Sequence, residues 1–306
     1  MTATTIAVQE VQSLCRRRVF AAFVGMLVAV TVLAGIIGWS SHNTIVRVYD
    51  EAVGLLATEG RAAPPNPFLQ VPPLALLSNL AIYLPLIGAL MAIIVGHLAL
   101  ADDQSTGIGR LLFSRPMTRF GYLAGKLAGT ATVVVAALGA SFAVGIAALR
   151  IANGYFPTAD QVGRLAGFYL LSWLYLMTFV LIGIVAVLLT RRRSLALLGS
   201  LGVWLIVTFA MPQFTSGLRP TSSLNPISDP VSTSQRFFQI TAQARPLSVS
   251  EQYKTASAQI LETTSSSLGT GPVLRIVPLL ALLGALVVLA GVLINRHDYA
   301  EASSDD

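Results

Sequence analysis

The residues best suited to chemistry lie in one polar stretch, 102-DDQSTGIGRLLFSRPMTRFGYLAGK-126, between two long apolar segments. Asp102 and Asp103 could together ligate a metal ion through their carboxylates. Adjacent residues on a helix point in different directions, however, and aspartate is favoured at a helix start by the dipole. We therefore favour helix capping over metal binding, and expect the chain itself to bind no metal and no cofactor.

The glycines of this stretch do not form a phosphate-binding loop. That loop requires four residues between its two glycines and a serine or threonine after its lysine. Here three residues separate Gly121 from Gly125, and a leucine follows Lys126. Ser141 and Ser172 lie in apolar segments without a histidine to act as base, and no HExxH motif occurs. The sequence therefore predicts that the chain is not an enzyme and has no ATPase site of its own.

The composition indicates an integral membrane protein. Of the 306 residues, 54% are apolar and only 11% are Asp, Glu, Lys or Arg, whereas a soluble domain has about 25% charged residues. The apolar stretches are continuous, which predicts helices and not the alternating strands of a membrane barrel. The net charge of +6 comes from basic residues beside apolar segments, which indicates lipid head groups rather than nucleic acid. Cys15, the single cysteine, excludes a disulfide framework.

Six stretches are long enough to cross a hydrocarbon core of about 30 Å. They are residues 19–38, 74–100, 127–149, 165–189, 195–211 and 276–294. The segments 1–18, 101–126, 190–193 and 295–306 hold 11 of the 20 lysines and arginines in less than half of the connecting sequence. The positive-inside rule therefore predicts that both termini are cytoplasmic. None of these spans has an acidic or basic residue near its middle, which argues against a carrier driven by an ion gradient.

Two further helices are predicted outside the spans. A short interfacial helix should precede the first span, since apolar residues recur at helical spacing there; a frayed tail is the alternative. Those residues are Ile6, Ala7, Val11, Leu14 and Cys15. Ser248 and Glu251 form a capping-box pattern in the long external region 212–275, and predict a helix over the mouth of the bundle.

An inner amphipathic helix should follow Asp103. Ile108, Leu111 and Leu112 would form its apolar face, and Pro116 would end it.

The residues after Pro116 should begin the third span. We expect Thr118 to cap this span, and Arg119 and Lys126 to keep their charges at head-group level. Gly121, Gly125 and Gly129 recur every fourth residue. They allow another helix to approach closely, either within the subunit or across a dimer.

This region resembles the permeases of ABC-2-type exporters, in particular the subgroup that includes the permease of the copper-enzyme (nitrous-oxide reductase) maturation transporter. The residues that match the inner motif of the family are Asp102, Asp103, Ser105, Thr106, Gly107, Leu111, Leu112, Ser114, Arg115, Pro116, Thr118, Arg119, Gly125 and Lys126.

The resemblance implies one ABC-2-type transmembrane domain over residues 1–306. It implies a permease subunit of an exporter in the plasma membrane, with a separate cytoplasmic ATP-binding subunit that carries ATP and Mg²⁺. A second permease copy, identical or paralogous, would complete the complex. The inner helix would be the coupling helix that contacts the ATPase. The residues assigned to coupling in this way are Asp102, Asp103, Gly107, Ile108, Leu111, Leu112, Arg115, Pro116 and Arg119.

A different class of function is the competing hypothesis. The long external region 212–275 could serve a non-transporting scaffold or a membrane-embedded enzyme.

Overall fold

A computed structural model of the chain describes residues 2–58, 60, 72–105, 118–190, 192–216, 243, 247–261 and 272–296. Across these ranges the regular structure is helical and contains no strand, which confirms the predicted fold class. Six of the helical segments described are long and apolar enough to cross a membrane, as the sequence predicts. They are Val19–Thr58, Pro73–Asp103, Arg119–Asn153, Ala159–Leu189, Arg193–Thr215 and Ile276–Arg296.

The helices, numbered in chain order, are α1 Ala3–Arg16, α2 Val19–Thr58, α3 Leu80–Tyr83, α4 Ala89–Ser105, α5 Arg119–Asn153, α6 Ala159–Leu189, α7 Arg193–Leu205, α8 Met211–Ser216, α9 Val249–Ile260 and α10 Pro272–Arg296. A 3₁₀ turn, Pro73–Leu77, precedes α3. Two π-helical turns, Leu84–Gly88 and Ile206–Ala210, join α3 to α4 and α7 to α8. The first of these turns contains Pro85, which cannot donate the backbone hydrogen bond of a regular helix.

Helix α6 lies at the centre of the bundle and contacts α4, α5, α7, α9 and α10. It packs most closely on α4, because glycines on both helices remove the side chains between them. A Cβ atom added to Gly96 would collide with the backbone of Val180, and one added to Gly183 would lie 2.6 Å from the carbonyl oxygen of Ile93. Close backbone approach through small residues is a usual way to pack helices in lipid. By contrast, little of α7 and α10 is buried within the chain.

Helix α2 is longer than the predicted first span. The apolar run predicts an end near residue 38, but the helix continues to Thr58. Residues 39–58 contain no proline, so nothing in their sequence forces the helix to stop where its hydropathy falls. A helix of 40 residues is about 60 Å long, roughly twice the thickness of the hydrocarbon core.

Helix α9 begins where the capping-box pattern predicts, with Ser248 as its N-cap residue. The Ser248 side chain makes no capping bond to the first turn, however. The Glu251 carboxylate accepts a 2.8 Å bond from the hydroxyl of Thr215. This bond connects α9 to α8.

Candidate functional site

Three charged side chains from three helices meet where α4 ends and α5 begins. The Nζ atom of Lys126 on α5 lies 2.6 Å from Oε2 of Glu10 on α1 and 2.7 Å from Oδ2 of Asp103 on α4. These side chains, here named the buried ionic cluster, are only 8%, 4% and 18% exposed, respectively. The hydroxyl of Tyr122 donates a 2.6 Å bond to the same Asp103 oxygen. Two carboxylates therefore hold the charge of Lys126 inside the protein; that this charge lies at head-group level stays a prediction.

Helix α1 brings Glu10 to this cluster. Thr2 caps the helix by accepting a bond from the backbone N–H of Thr5. Ile6, Glu10 and Leu14 follow at intervals of four residues, so they share one face, and all three are buried. The sequence analysis did not single out Glu10. Its position between two buried apolar residues of the same face was the signal that could have found it.

Two of the three predicted packing glycines of α5 lie directly under α1. A Cβ atom added to Gly125 would be 2.7 Å from Cβ of Ile6, and one added to Gly129 would be 2.6 Å from Cβ of Glu10. The structure thus places a helix of the same subunit on this face. At Gly121 the atom nearest to an added Cβ belongs to Thr118 of the same helix start.

The electrostatics of the cluster are unbalanced by one charge. Burial raises the pKa of the Glu10 carboxyl; the nearby Lys126 opposes this shift, and the nearby Asp103 adds to it. Two carboxylates facing one ammonium leave an excess of negative charge when all three are ionised.

The neighbouring residue Asp102 has the opposite imbalance. It forms ion pairs with Arg17, at the end of α1, and with Arg193, at the start of α7. The distance from Arg193 Nη2 to Asp102 Oδ1 is 2.5 Å. One carboxylate between two guanidinium groups leaves an excess of positive charge. The two adjacent aspartates at the end of α4 therefore belong to groups of opposite net charge. The group around Asp103 has an excess of negative charge, and the group around Asp102 has an excess of positive charge.

Polar bonds also fix the start of α5. The Thr118 hydroxyl accepts a 3.1 Å bond from the backbone N–H of Gly121, as predicted for a helix cap. Arg119 extends to the last turn of α10, where Nη1 donates a 2.5 Å bond to the carbonyl oxygen of Asn295. A guanidinium group at a helix C-terminus also interacts favourably with the helix dipole.

The comparison with known proteins identifies the family of this helical bundle. The sequence profile described as "ABC-2 family transporter protein" matches residues 4–299. The chain belongs to the ABC-2 transporter family. Among curated proteins the comparison finds no match. Members of this family are multi-pass membrane transport subunits, and the ATPase of their complex is a separate cytoplasmic subunit.

In this ABC-2 protein, the predicted coupling residues divide into two groups. Asp102 and Asp103 lie in the last turn of α4, so the prediction that they cap a helix start is wrong; both form ion pairs instead. Arg119 is the first residue of α5 and contacts the end of α10. The remaining six lie outside the described residues; they are Gly107, Ile108, Leu111, Leu112, Arg115 and Pro116. In the described parts of the chain, no three His, Cys, Asp or Glu side chains are arranged to hold a metal ion. The buried ionic cluster connects α4 and α5, the two helices that flank residues 106–117.

A second buried polar site connects α9 to the rest of this ABC-2 bundle. The hydroxyls of Tyr253 and Ser172 are 2.8 Å apart, and those of Tyr175 and Ser250 are 2.9 Å apart. Ser250 also donates a 3.0 Å bond to the carbonyl oxygen of Val207, in the second π-helical turn. Burial raises the pKa of Tyr253, so its hydroxyl stays protonated and neutral. We name these five residues the hydroxyl network.

Proposed function

We propose that this chain is the permease subunit of an ATP-driven exporter and that its coupling helix is the inner helix with Ile108, Leu111 and Leu112 on its apolar face, which ends before Pro116. Membership of the ABC-2 family supports the transport role. The observation that carries the coupling role is the buried ionic cluster, which joins both helices flanking residues 106–117. A separate ATP-binding subunit would hold ATP and Mg²⁺ and would contact these residues. A movement of that subunit would then move α4 and α5 together.

The charges of the cluster explain why such a movement would be transmitted and not absorbed. Asp103 and Lys126 connect α4 to α5 across 2.7 Å, and Glu10 adds α1 to the same unit. Separating a buried ion pair leaves each charge without its partner, which costs several kcal/mol. The three helices would therefore move as one body when the coupling helix moves.

The same proposal includes the arrangement of the complex in the plasma membrane. Arg17, Asp102 and Arg193 would lie at the cytoplasmic surface, together with both termini, as the distribution of basic residues favours. The exposed apolar sides of α7 and α10 would contact lipid or a second permease copy. Within the family, the inner motif supports a relation to the copper-enzyme maturation permeases.

The coupling proposal is tested by changing Leu111→Ala together with Leu112→Ala. Truncation of a well-buried anchor commonly lowers binding by 2 kcal/mol or more, so the ATP-binding subunit should no longer copurify and transport should stop. The matched control is Leu195→Ala with Leu198→Ala, on an exposed side of α7 where the two side chains are 51% and 63% exposed. Both variants are first checked for normal membrane insertion. Full copurification and normal transport in the first variant would contradict the coupling role.

The orientation is tested separately by cysteine labelling in intact cells. Cys15 is exposed, so it is first replaced by serine. Ser194→Cys should then resist a membrane-impermeant reagent, and Ser223→Cys should react with it. Labelling of the Ser194→Cys variant from outside would overturn the proposed topology.

A further inference from the structure

A groove of about 320 Å³ lies along the outer face of α1. Among the described residues it is lined by Gln9, Gln12, Ser13, Arg16 and Arg17. Their side chains carry hydrogen-bond donors, two of them charged guanidinium groups, and none is acidic. The acidic residue of this helix, Glu10, lies on the neighbouring face next to Ser13 and Arg17, where it is buried with its carboxylate 2.6 Å from Nζ of Lys126. The lining is therefore suited to an anion.

An apolar stripe runs beside this groove on the same helix. Gln9, Gln12 and Arg16 follow the i, i+3, i+7 spacing of one helix face. The residues immediately before them, Val8, Val11 and Cys15, follow the same spacing, so their stripe is adjacent, rotated by about 100°. Val8 is 53% exposed and Cys15 is exposed, whereas Val11 between them is half-buried against the core. The helix thus presents donor groups and apolar surface side by side.

The position of the groove along the chain places it near the surface of the membrane. Helix α1 ends at Arg16, and the first candidate span begins at Val19. Arg18 between them has a left-handed backbone with φ of 59°, which turns the chain sharply from one helix into the next. The two arginines of the groove therefore lie within one turn of the residue at which the chain enters the apolar span.

The two arginines differ in their contacts within the chain. Arg17 is paired with Asp102, whereas Arg16 forms no ion pair with the described part of the chain and is exposed. A guanidinium group binds a phosphate through two parallel hydrogen bonds. Arg16 is thus the group in the groove with its charge available to a ligand.

We propose that this groove binds the phosphate of an anionic phospholipid, with an acyl chain against the exposed side chains of Val8 and Cys15. The hydrogen-bond donors that line the groove would bind the phosphate. The adjacent apolar stripe, and the position of the groove next to the start of the first span, favour a lipid over free phosphate or an acidic protein surface. This site is separate from the coupling proposal, since none of its residues belongs to residues 106–117.

The test uses the purified full-length protein in detergent, titrated with phosphatidylglycerol, phosphatidylcholine or inorganic phosphate. Retained lipid is counted by native mass spectrometry, and thermal stabilisation gives the apparent affinity. Phosphatidylglycerol should bind the wild-type chain more tightly than phosphatidylcholine does. Arg16→Gln should weaken its binding about fivefold, the usual contribution of one basic residue near anionic lipid. Arg192→Gln is the matched control, since it removes one exposed arginine outside the groove lining and should change binding less.

A third variant, Val8→Ser, separates a lipid from free phosphate. It should weaken phosphatidylglycerol binding, because it removes apolar contact, and leave the response to inorganic phosphate unchanged. Equal losses for Arg16→Gln and Arg192→Gln would overturn the proposal in favour of diffuse attraction. Inorganic phosphate as effective as the lipid, or no preference of the wild-type chain for phosphatidylglycerol, would overturn it as well. Loss of ATP-binding-subunit copurification in Arg16→Gln with unchanged lipid binding would assign the groove to that partner instead.

Discussion

The buried ionic cluster and the hydroxyl network both connect helices that are distant in sequence, but they use different chemistry. The cluster joins α1, α4 and α5 through one ammonium and two carboxylates, whereas the network joins α6, α9 and the π-helical turn Ile206–Ala210 through neutral hydroxyls and the carbonyl of Val207. Removing one partner from a buried ion pair leaves an uncompensated charge and costs about 3–5 kcal/mol. A hydrogen bond between membrane helices contributes about 0.6 kcal/mol on average. The difference predicts that the loss of one side chain destabilises the protein more at the cluster, next to residues 106–117, than in the network that holds α9.

Among the variants that test this comparison, Lys126→Met should lose the most stability. The substitution leaves the buried Glu10 and the partly buried Asp103 without their ammonium partner, so the free energy of unfolding in detergent should fall by about 3–5 kcal/mol. Arg164→Met is the control. It removes an exposed pair in which Arg164 Nε and Asp160 Oδ2 are 2.8 Å apart, and such pairs contribute about 0.2–1 kcal/mol. Equal losses of stability in the two variants would show that the buried ion pairs stabilise the protein no more than an exposed pair does.

A smaller effect is expected when α1 is forced away from the cluster. Gly129→Leu places a side chain where Cβ of Glu10 already lies, and such overpacking costs about 1–3 kcal/mol. Hydrogen exchange in α1 should increase along with the loss of stability. Gly139→Leu on the same helix is the matched control, since nothing lies within 4 Å of a Cβ atom added there. Unchanged exchange in α1 for Gly129→Leu would contradict the observed packing.

The pH dependence of stability should separate the two sites. Burial raises the pKa of Glu10 above its ordinary value of 4.5. When the pH rises through 4.5, the unfolded chain releases this proton first, so the folded state loses stability until the raised pKa is passed. Glu10→Gln should remove this contribution, whereas Tyr253→Phe should leave the pH profile in that range unchanged. Parallel stability curves for the wild type and Glu10→Gln would show that Glu10 titrates alike in both states.

The smallest effect is expected within the hydroxyl network. Tyr253→Phe removes the bond to Ser172, which still donates a 2.8 Å bond to the carbonyl oxygen of Phe168. The loss should therefore be about 0.6 kcal/mol, measured by the same detergent unfolding. Tyr83→Phe serves as the control, since the Tyr83 hydroxyl has no hydrogen-bond partner among the described residues. A loss as large as that of Lys126→Met would remove the contrast between the two sites.

Local sequence patterns were sufficient to predict much of the fold. Each of the six spans is a continuous apolar run, so its hydropathy alone identifies it. Thr118 marked the start of α5, because capping depends on residues within one turn. Ser248 marked the start of α9, although its side chain makes no capping bond. The length of α2 was not predicted, since polar residues 39–58 change the hydropathy without breaking the helix.

The buried ionic cluster could not be derived in the same way. Glu10 and Lys126 are separated by 116 positions, and Asp102 and Arg193 by 91. No local spacing relates such residues, and the usual position of lysine near the end of a span predicted the head-group region. Only the packing of α1 onto Gly125 and Gly129 brings the carboxylate to the ammonium.

The order of the three cluster residues along the chain has a consequence for biosynthesis. A ribosome delivers Glu10 first, Asp103 second and Lys126 last. When the lysine-bearing helix emerges, both acidic partners are already synthesised, so its charge can be neutralised as it leaves the translocon. A nascent chain shortened by its first fifteen residues would lack one of these partners, and insertion of that helix would become the step at which such a truncated product fails.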